Sequence, residues 1–325
     1  MFSYIIRRML YMIPILLGVN LITFMLFFMV NSPIQMARFN LGEKHVTPAA
    51  IQNWMHERGY DQPLLFNDKE SGTKTITETI FFQKSLKLFT FDFGQSDAGR
   101  DIGYDVYQRM WPSLAIAVPS LIIGLLVNIS FALLLIFYRH SYLDVGGVVL
   151  CVILMSVSAL FYIIAGQYYF ANILKLVPIS GYVPGWRIER FIILPVLIGV
   201  VGGIGAGVRW YRTIFLEEIN KDYVRTARAK GLPESKVLFR HVLRNALIPI
   251  LTGVVVILPL LFMGSLLTES FFGIPGLGSY TIDAIQQQDF AIVRCMVFLG
   301  SVLYIIGLLL TDISYTMVDP RVRFN

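Results

Sequence analysis

The residues best suited to act on another molecule lie in a basic segment, residues 214–245, between two strongly apolar stretches. Arg225, Arg228 and Lys230 alternate with small and apolar residues at helical spacing. Gly231 can end this helix as its left-handed cap, and Pro233 suits the first turn of the next helix. The sequence therefore predicts a helix, a tight turn and a second helix over about 234–244, with binding rather than catalysis as its chemistry.

Motifs for catalysis are missing from the sequence. It contains no G-x-x-x-x-G-K-[ST] phosphate loop and no H-E-x-x-H metal pair. Cys151 and Cys295 both fall in apolar stretches, where a thiol usually packs as a small hydrophobe, so neither a disulfide nor a zinc site is expected. A membrane enzyme would need Ser/His, paired Asp or metal-ligand groups well inside its spans, and we find none placed there.

Composition points to a membrane protein. Hydrophobic residues make up 56% of the chain and charged residues 15%, against roughly a quarter charged in soluble domains. Several windows of about 20 residues lack a charge, which is the length needed to cross the hydrocarbon core. The net charge of +6 is interpreted as the excess of Lys and Arg in cytoplasmic loops, not as a sign of nucleic-acid binding.

Hydropathy predicts an all-α integral membrane protein with six transmembrane helices. They cover about 9–30, 113–138, 144–171, 191–213, 246–268 and 291–316. The first follows Arg7 and Arg8 and has no A-x-A-like cleavage site, so it is interpreted as a retained span.

Six spans put both termini on one side, which the basic loops identify as the cytoplasm. The division of the chain is then a first helix (1–30), an extracytoplasmic region (31–105), a transmembrane domain (106–316) with a cytoplasmic loop (214–245), and a cytoplasmic tail (317–325). Thr47 and Pro48 predict the start of a helix in the extracytoplasmic region.

Three further groups of residues are candidates for a role. Gly199, Gly203 and Gly207 recur every four residues and favour close helix packing. The segment 269–278 predicts a compact turn or re-entrant element, and a candidate outer gate, although an ordinary connecting loop fits equally; its candidate residues are Glu269, Phe271, Phe272, Pro275, Gly276 and Gly278. Arg209, Arg294 and Asp312 are ionisable residues near membrane depth that either line a pathway or snorkel to the interface.

On residue types alone, the basic loop fits a DNA-binding helix-turn-helix, a helix at the lipid surface or a docking element for a cytoplasmic partner. The flanking spans argue against DNA, and the other two alternatives stay open. A resemblance to a known family favours the docking element. The chain resembles the permease subunits of ATP-binding-cassette importers, specifically the dipeptide, oligopeptide and nickel permease family. The loop matches through Arg225-Thr226-Ala227, Gly231 and Leu247-Ile248-Pro249.

Other segments match the same family along nearly the whole chain: 6–10, 59–64, 91–96, 178–182, 269–278 and 319–323. The match is weakest over 66–88 and in the third span, where Ser158-Ala159-Leu160-Phe161-Tyr162 stands in for a motif that usually carries Pro.

The resemblance implies a type I importer fold in a bacterial inner membrane, with this chain as half of the pathway for peptides or a related small solute. It implies docking of a cytoplasmic ATPase on residues of the loop, namely Arg225, Thr226, Ala227, Arg228, Ala229, Lys230, Gly231 and Leu232. The implied partners are a second permease chain, two ATPase subunits that bind the ATP and Mg²⁺, an extracytoplasmic substrate-binding protein and membrane lipid, with no cofactor on this chain. The alternative is a secondary transporter driven by an ion gradient, which would need carboxylates deep in the spans and an internal repeat.

Overall fold

The computed structural model describes residues 2–42, 47–67, 72–185 and 187–318, and the regular elements within these ranges are helical. The tail residues 319–325, including Arg321 and Arg323, lie outside the described residues. The α-helices, in chain order, are α1 Phe2–Val30, α2 Pro33–Leu41, α3 Pro48–Glu57, α4 Lys74–Thr77, α5 Ile102–Phe137, α6 Tyr142–Ser156, α7 Ala159–Gly166, α8 Glu189–Ile219, α9 Asp222–Ala229, α10 Glu234–Val237, α11 Leu243–Leu260, α12 Leu266–Phe272, α13 Leu277–Gln286 and α14 Phe290–Val318.

Within the described ranges, five helical stretches are long and apolar enough to cross a membrane: Leu10–Val30, Ile102–Phe137, Glu189–Ile219, Glu234–Phe272 and Phe290–Ser314. A further apolar stretch consists of Tyr142–Ser156 and Ala159–Ile173, which meet at 88°. By length and composition, the described residues thus hold five candidate spans, or six if the bent pair is one span.

The bend lies within the span that the sequence predicts over 144–171. Val157 and Ser158 have extended backbones, with ψ of 131° and 143°, so the helical hydrogen-bond ladder is interrupted there. The hydroxyl of Tyr162 donates to the carbonyl oxygen of Leu154 at 2.6 Å. This bond supplements the long hydrogen bond, 3.4 Å, that the same carbonyl accepts from the backbone N–H of Val157 at the end of α6.

A second interruption falls in the predicted span 246–268. Helix α11 ends at Leu260, a 3₁₀ turn follows over Leu261–Met263, and Gly264 takes a φ of +66° before α12 begins. That φ is in the left-handed region that favours glycine. The predicted span therefore lies within the apolar stretch Glu234–Phe272, but its helix is interrupted at Gly264.

The chain forms two compact units. The described part of the first consists mainly of residues up to Arg109 together with Tyr280–Leu309. Its core includes Phe24, Met36, Trp54, Tyr60 and Phe290. The helix predicted from Thr47 and Pro48 is present as α3, and the Thr47 side chain accepts a hydrogen bond from the backbone N–H of Ala50.

The second unit contains Met110–Ser279 together with residues from Leu310 onward. Among the glycines of this unit, Gly205 of α8 lies closest to the backbone of another element. A Cβ added to it would lie 2.5 Å from the carbonyl oxygen of Cys151 in α6. Among the predicted packing glycines, Gly199 faces Ser120 and Gly207 faces Asn128 in α5, whereas a Cβ on Gly203 would meet no described atom within 4 Å. Gly205, and not Gly203, thus lies where α8 comes close to α6.

Candidate functional site

The basic loop folds as the helix, turn and helix that its sequence predicts. Helix α9 is followed by Gly231 at a φ of +75°. Pro233 then takes the N-cap of α10, not its first turn. From α10 the chain continues through the π-helical Leu238–Val242 into α11, so the loop is joined directly to a long apolar helix.

One face of α9 is packed against the second unit's own core. Val224 and Ala227 are buried in one cluster with Val237, Leu238 and Val242. Leu232 is half-buried against the same cluster. Because these apolar contacts hold α9 against the following helix, a displacement of α9 would be transmitted to α11.

Polar contacts fix the loop further. Arg228 donates to both carboxylate oxygens of Glu234, at 3.0 and 2.6 Å. Tyr223 donates to Glu218 at 2.5 Å, and Lys221 pairs with the same carboxylate. Burial, followed by the hydrogen bond to Glu218, raises the pKa of Tyr223 to about 12, so the phenol stays a proton donor at neutral pH.

The exposed face of the loop consists of the remaining predicted docking residues. Arg225, Thr226, Ala229, Lys230 and Gly231 are all exposed. The Arg225 guanidinium lies 3.5 Å from the exposed carboxylate of Asp222. The structure therefore divides the eight predicted residues into an exposed set and an inner set of Ala227, Arg228 and Leu232.

An ion pair that sequence reasoning missed joins the start of α6 to α8. Arg212 donates to both carboxylate oxygens of the buried Asp144, at 3.1 and 2.9 Å. Asp144 also accepts from the backbone N–H of His140 at 3.4 Å. The sequence shows only an acidic residue in the first turn of one apolar helix and an arginine near the end of another. These two positions do not by themselves identify an ion pair.

The segment 269–278 forms a hairpin between α12 and α13. Glu269, only 1% exposed, accepts hydrogen bonds from the backbone N–H groups of Ser265, Gly278 and Ser279. A Cβ on Gly264 or Gly276 would lie 1.9 or 2.2 Å from a carboxylate oxygen of Glu269. The hairpin is therefore built around this carboxylate, and glycine is needed where the backbone passes it.

The hairpin is also tied to the rest of its unit. Ser113 of α5 accepts from the backbone N–H of Leu277 at 2.9 Å. Phe272 is buried in a cluster with Ile163 and Leu194, and its carbonyl accepts from Gly181 at 2.8 Å. Phe271 and Pro275 are exposed. Of the six candidate gate residues, Glu269, Phe272, Gly276 and Gly278 are thus internal to the hairpin's packing.

The candidate pathway charges are dispersed. Arg209 is exposed and lies 3.2 Å from the sulfur of Met155. Arg294 is buried in the first unit beside the ring of Phe290, 5.4 Å from its centroid. Asp312 is half-buried in α14. The structure does not bring Arg209 or Arg294 into a shared site with another predicted residue.

A pair of carboxylates in the first unit was not found from sequence. Asp289 caps α14 by accepting from Ile292, and its other oxygen accepts from the backbone N–H of Asp97 at 2.8 Å. Arg58 donates to the carbonyl oxygen of Asp97. Burial, and then the charge of Asp289, raises the pKa of Asp97 to about 7; burial likewise raises the pKa of Asp289.

No group of three His, Cys, Asp or Glu side chains in the described ranges is arranged to hold a metal ion. The arrangement anchors the inner face of α9 and leaves its outer face exposed.

Comparison with known proteins gives concordant matches. Residues 128–324 match the family of binding-protein-dependent transport system inner membrane components, and residues 1–81 match the N-terminal part of such membrane components. A Brucella abortus (strain 2308) protein, whose name assigns it to a peptide transport system as a permease, is 33% identical over 100% of both chains. The dipeptide transport system permease protein DppB of Bacillus subtilis is 29% identical over 100% of this chain and 99% of its own, and the oligopeptide transport system permease protein AppB of the same species is 28% identical over 100% of both.

Proposed function

Because this chain belongs to the family of binding-protein-dependent transport system inner membrane components, we propose that it is the membrane-spanning permease subunit of an ATP-driven peptide importer. Peptide is the proposed cargo because full-length relatives are named for dipeptide and oligopeptide transport. The chain would form half of the translocation pathway and receive its cargo from an extracytoplasmic binding protein. Both termini and the basic loop would lie in the cytoplasm of a bacterial cell, with the chain in the inner membrane.

Energy would enter through the basic loop. The observation that supports this step is the two-sided packing of α9. Its inner face is buried against α10 and the π-helical Leu238–Val242, which leads into α11, while its outer face is exposed. Thr226, Ala229 and Gly231 are small enough for a partner to approach closely, and Arg225 and Lys230 can pair with acidic groups beside them. A cytoplasmic ATPase bound there would move α9 and α11 as one body.

The proposed assembly contains this chain, a second homologous permease, two ATPase subunits and the binding protein. ATP and Mg²⁺ would bind to the ATPase subunits, since this chain has no phosphate loop. A gradient-driven secondary transporter is the competing function. It would transport without an ATPase, so dependence on an associated ATPase separates the two.

A pair of tryptophan substitutions tests the docking face. Ala229→Trp places a large side chain on the exposed face of α9, whereas Ser235→Trp places the same side chain on an exposed position of α10, outside the proposed face. We expect Ala229→Trp to abolish both co-purification of the ATPase and ATP-dependent peptide uptake, and Ser235→Trp to preserve both. The assay uses the whole transporter purified in detergent and reconstituted into vesicles.

The same pair distinguishes docking from simple lipid binding. Tryptophan favours the membrane interface, so a helix whose only partner is lipid would keep its position in Ala229→Trp. Equal ATPase recovery and equal uptake in the two variants would contradict the docking proposal. Peptide uptake by wild-type vesicles without any ATPase would contradict the importer itself.

A further inference from the structure

The interruptions in the apolar helices lie next to cavities in the second unit. One is the extended Val157–Ser158 between α6 and α7, and the other is Gly264–Ser265 between α11 and α12. Non-helical backbone at membrane depth is tolerated only where it is buried in protein or lines a polar or water-filled space. In transporters, interrupted helices supply backbone groups to the substrate site.

A cavity of about 230 Å³ adjoins the second interruption. Ser113, Ser120, Gly264, Ser265 and Glu269 are among the residues that line it. A second cavity, of about 380 Å³, adjoins the first interruption and is lined in part by Val157, Tyr162 and Gly202. Gly199 and Thr268 line both cavities, so the two spaces are neighbours.

The lining favours a particular ligand chemistry. The hydroxyl group of Ser120 can bond to an amide group, as can that of Thr268, which also accepts from the hydroxyl of Ser265. The remaining wall is largely apolar. Glu269 contributes a carboxylate, and among the described residues that line either cavity there is no Lys or Arg. Such a wall accepts peptides whose net charge is zero or positive and disfavours a net negative charge.

We propose that these adjoining cavities are the peptide-contacting part of the passage and that they select for neutral or positively charged peptides. This inference rests on the proposed permease function. Gly199 and Gly202 keep the α8 wall open, because neither places a side chain in the space. The backbone N–H groups that donate to Glu269 offset part of the charge of this carboxylate. A cationic peptide would therefore be attracted weakly enough to pass through the cavities and not be bound tightly there.

Adjacent glycines on α8 provide a matched pair for the test. A Cβ on Gly202 would contact the ring of Tyr162 at 3.7 Å, an ordinary contact, in the second cavity. A Cβ on Gly203 would meet no described atom within 4 Å, and Gly203 is not among the residues lining either cavity. Gly202→Cys therefore reports on the inside of the proposed passage and Gly203→Cys on its outside. The native Cys151 and Cys295 are both buried, so we expect them to contribute little to the labelling.

The complete transporter in vesicles is treated with a small cationic methanethiosulfonate and then with an anionic one, with and without trialanine. We expect the cationic reagent to modify Gly202→Cys several-fold faster than the anionic one, trialanine to slow this reaction, and modification to stop uptake. Gly203→Cys should show no protection by trialanine and should keep its uptake after modification. Ala206→Cys, at another position lining the second cavity, replaces Gly202→Cys if that variant does not assemble.

Failure of the two proposals gives different results. If the wild-type transporter imports trialanine with ATP but Gly202→Cys reacts at the same rate with and without peptide, the passage lies elsewhere. If the two reagents react equally fast at Gly202→Cys, the charge preference is wrong. If wild-type vesicles show no ATP-dependent uptake of trialanine, the peptide-import function itself is contradicted.

Discussion

At the scale of single residues, buried carboxylates hold separate segments of this chain together. Glu269 holds its hairpin through backbone N–H groups, Asp144 pairs with Arg212, and Asp289 both caps α14 and binds the backbone of Asp97. A buried carboxylate costs free energy unless donors surround it, and each of these has them. These residues therefore specify which segments meet.

The Asp97–Asp289 pair predicts a pH-dependent stability. Since burial raises the pKa of Asp97 to about 7 and also that of Asp289, the folded chain holds protons that the unfolded chain releases above about pH 4. Stability is therefore expected to fall as pH rises from about 4 to 7, by at most about 1.4 kcal/mol per pH unit for each extra proton held, and then to level off. Thermal unfolding of the purified protein between pH 5 and 8 measures this slope.

Asp97→Asn should flatten that slope, because the amide removes one charge and preserves the backbone hydrogen bond from residue 97 to Asp289. Asp222→Asn, at a side chain that is 97% exposed, is the control and should keep the wild-type slope. The nearby cations Arg58, Lys84 and Arg294 lower the pKa of Asp97, so they reduce the effect without reversing its sign. A wild-type stability that rises with pH over this range would contradict the prediction.

At the scale of elements, sequence reasoning found the apolar helices but not their interruptions. Length and hydropathy were enough for the helices because a span needs only about 20 apolar residues. The bend at Val157–Ser158 has no Pro or Gly at the break, so no local residue signals it. Its support comes from Tyr162, whose hydroxyl reaches Leu154, a contact that only the folded chain provides.

The basic loop likewise has features that the sequence predicts and features that depend on the folded chain. Its helices and the glycine turn follow from local residue preferences, and both are present. Which side of α9 faces outward depends on what packs beneath it, and Val237, Leu238 and Val242 bury Ala227. The sequence alone therefore does not divide residues 225–232 into those that are exposed and those that are buried.

Helix packing at α8 gives a prediction with a built-in control. Gly205→Ala would place a Cβ 2.5 Å from the carbonyl oxygen of Cys151 and 2.8 Å from the backbone nitrogen of Met155. Because both neighbours are backbone atoms, the helices must separate, and we expect a loss of about 1–3 kcal/mol. Gly203→Ala should cost nothing, since its Cβ meets no described atom within 4 Å. Equal unfolding midpoints for the two variants in detergent would contradict this packing.

At the scale of the whole molecule, the bent pair decides the topology. If Tyr142–Ser156 and Ala159–Ile173 cross the membrane as one broken span, the chain has six crossings and its termini share a side. If the pair turns back, the chain has five crossings. In both cases α8 separates residue 176 from the basic loop, so these two positions lie on opposite sides. The informative comparison is between residue 176 and residues 31–105, the region that the sequence predicts to be extracytoplasmic.

We predict six crossings, because basic residues outnumber acidic ones in 214–245, which is typical of a cytoplasmic loop. Gln52→Cys and Leu176→Cys, at exposed positions, should then both react with a membrane-impermeant maleimide added outside intact cells. Ser235→Cys should react only after the membrane is opened. If Leu176→Cys reacts only after the membrane is opened while Gln52→Cys is still labelled from outside, the bent pair of α6 and α7 is a re-entrant element. That result would also place the basic loop outside the cell, where no ATPase could drive it.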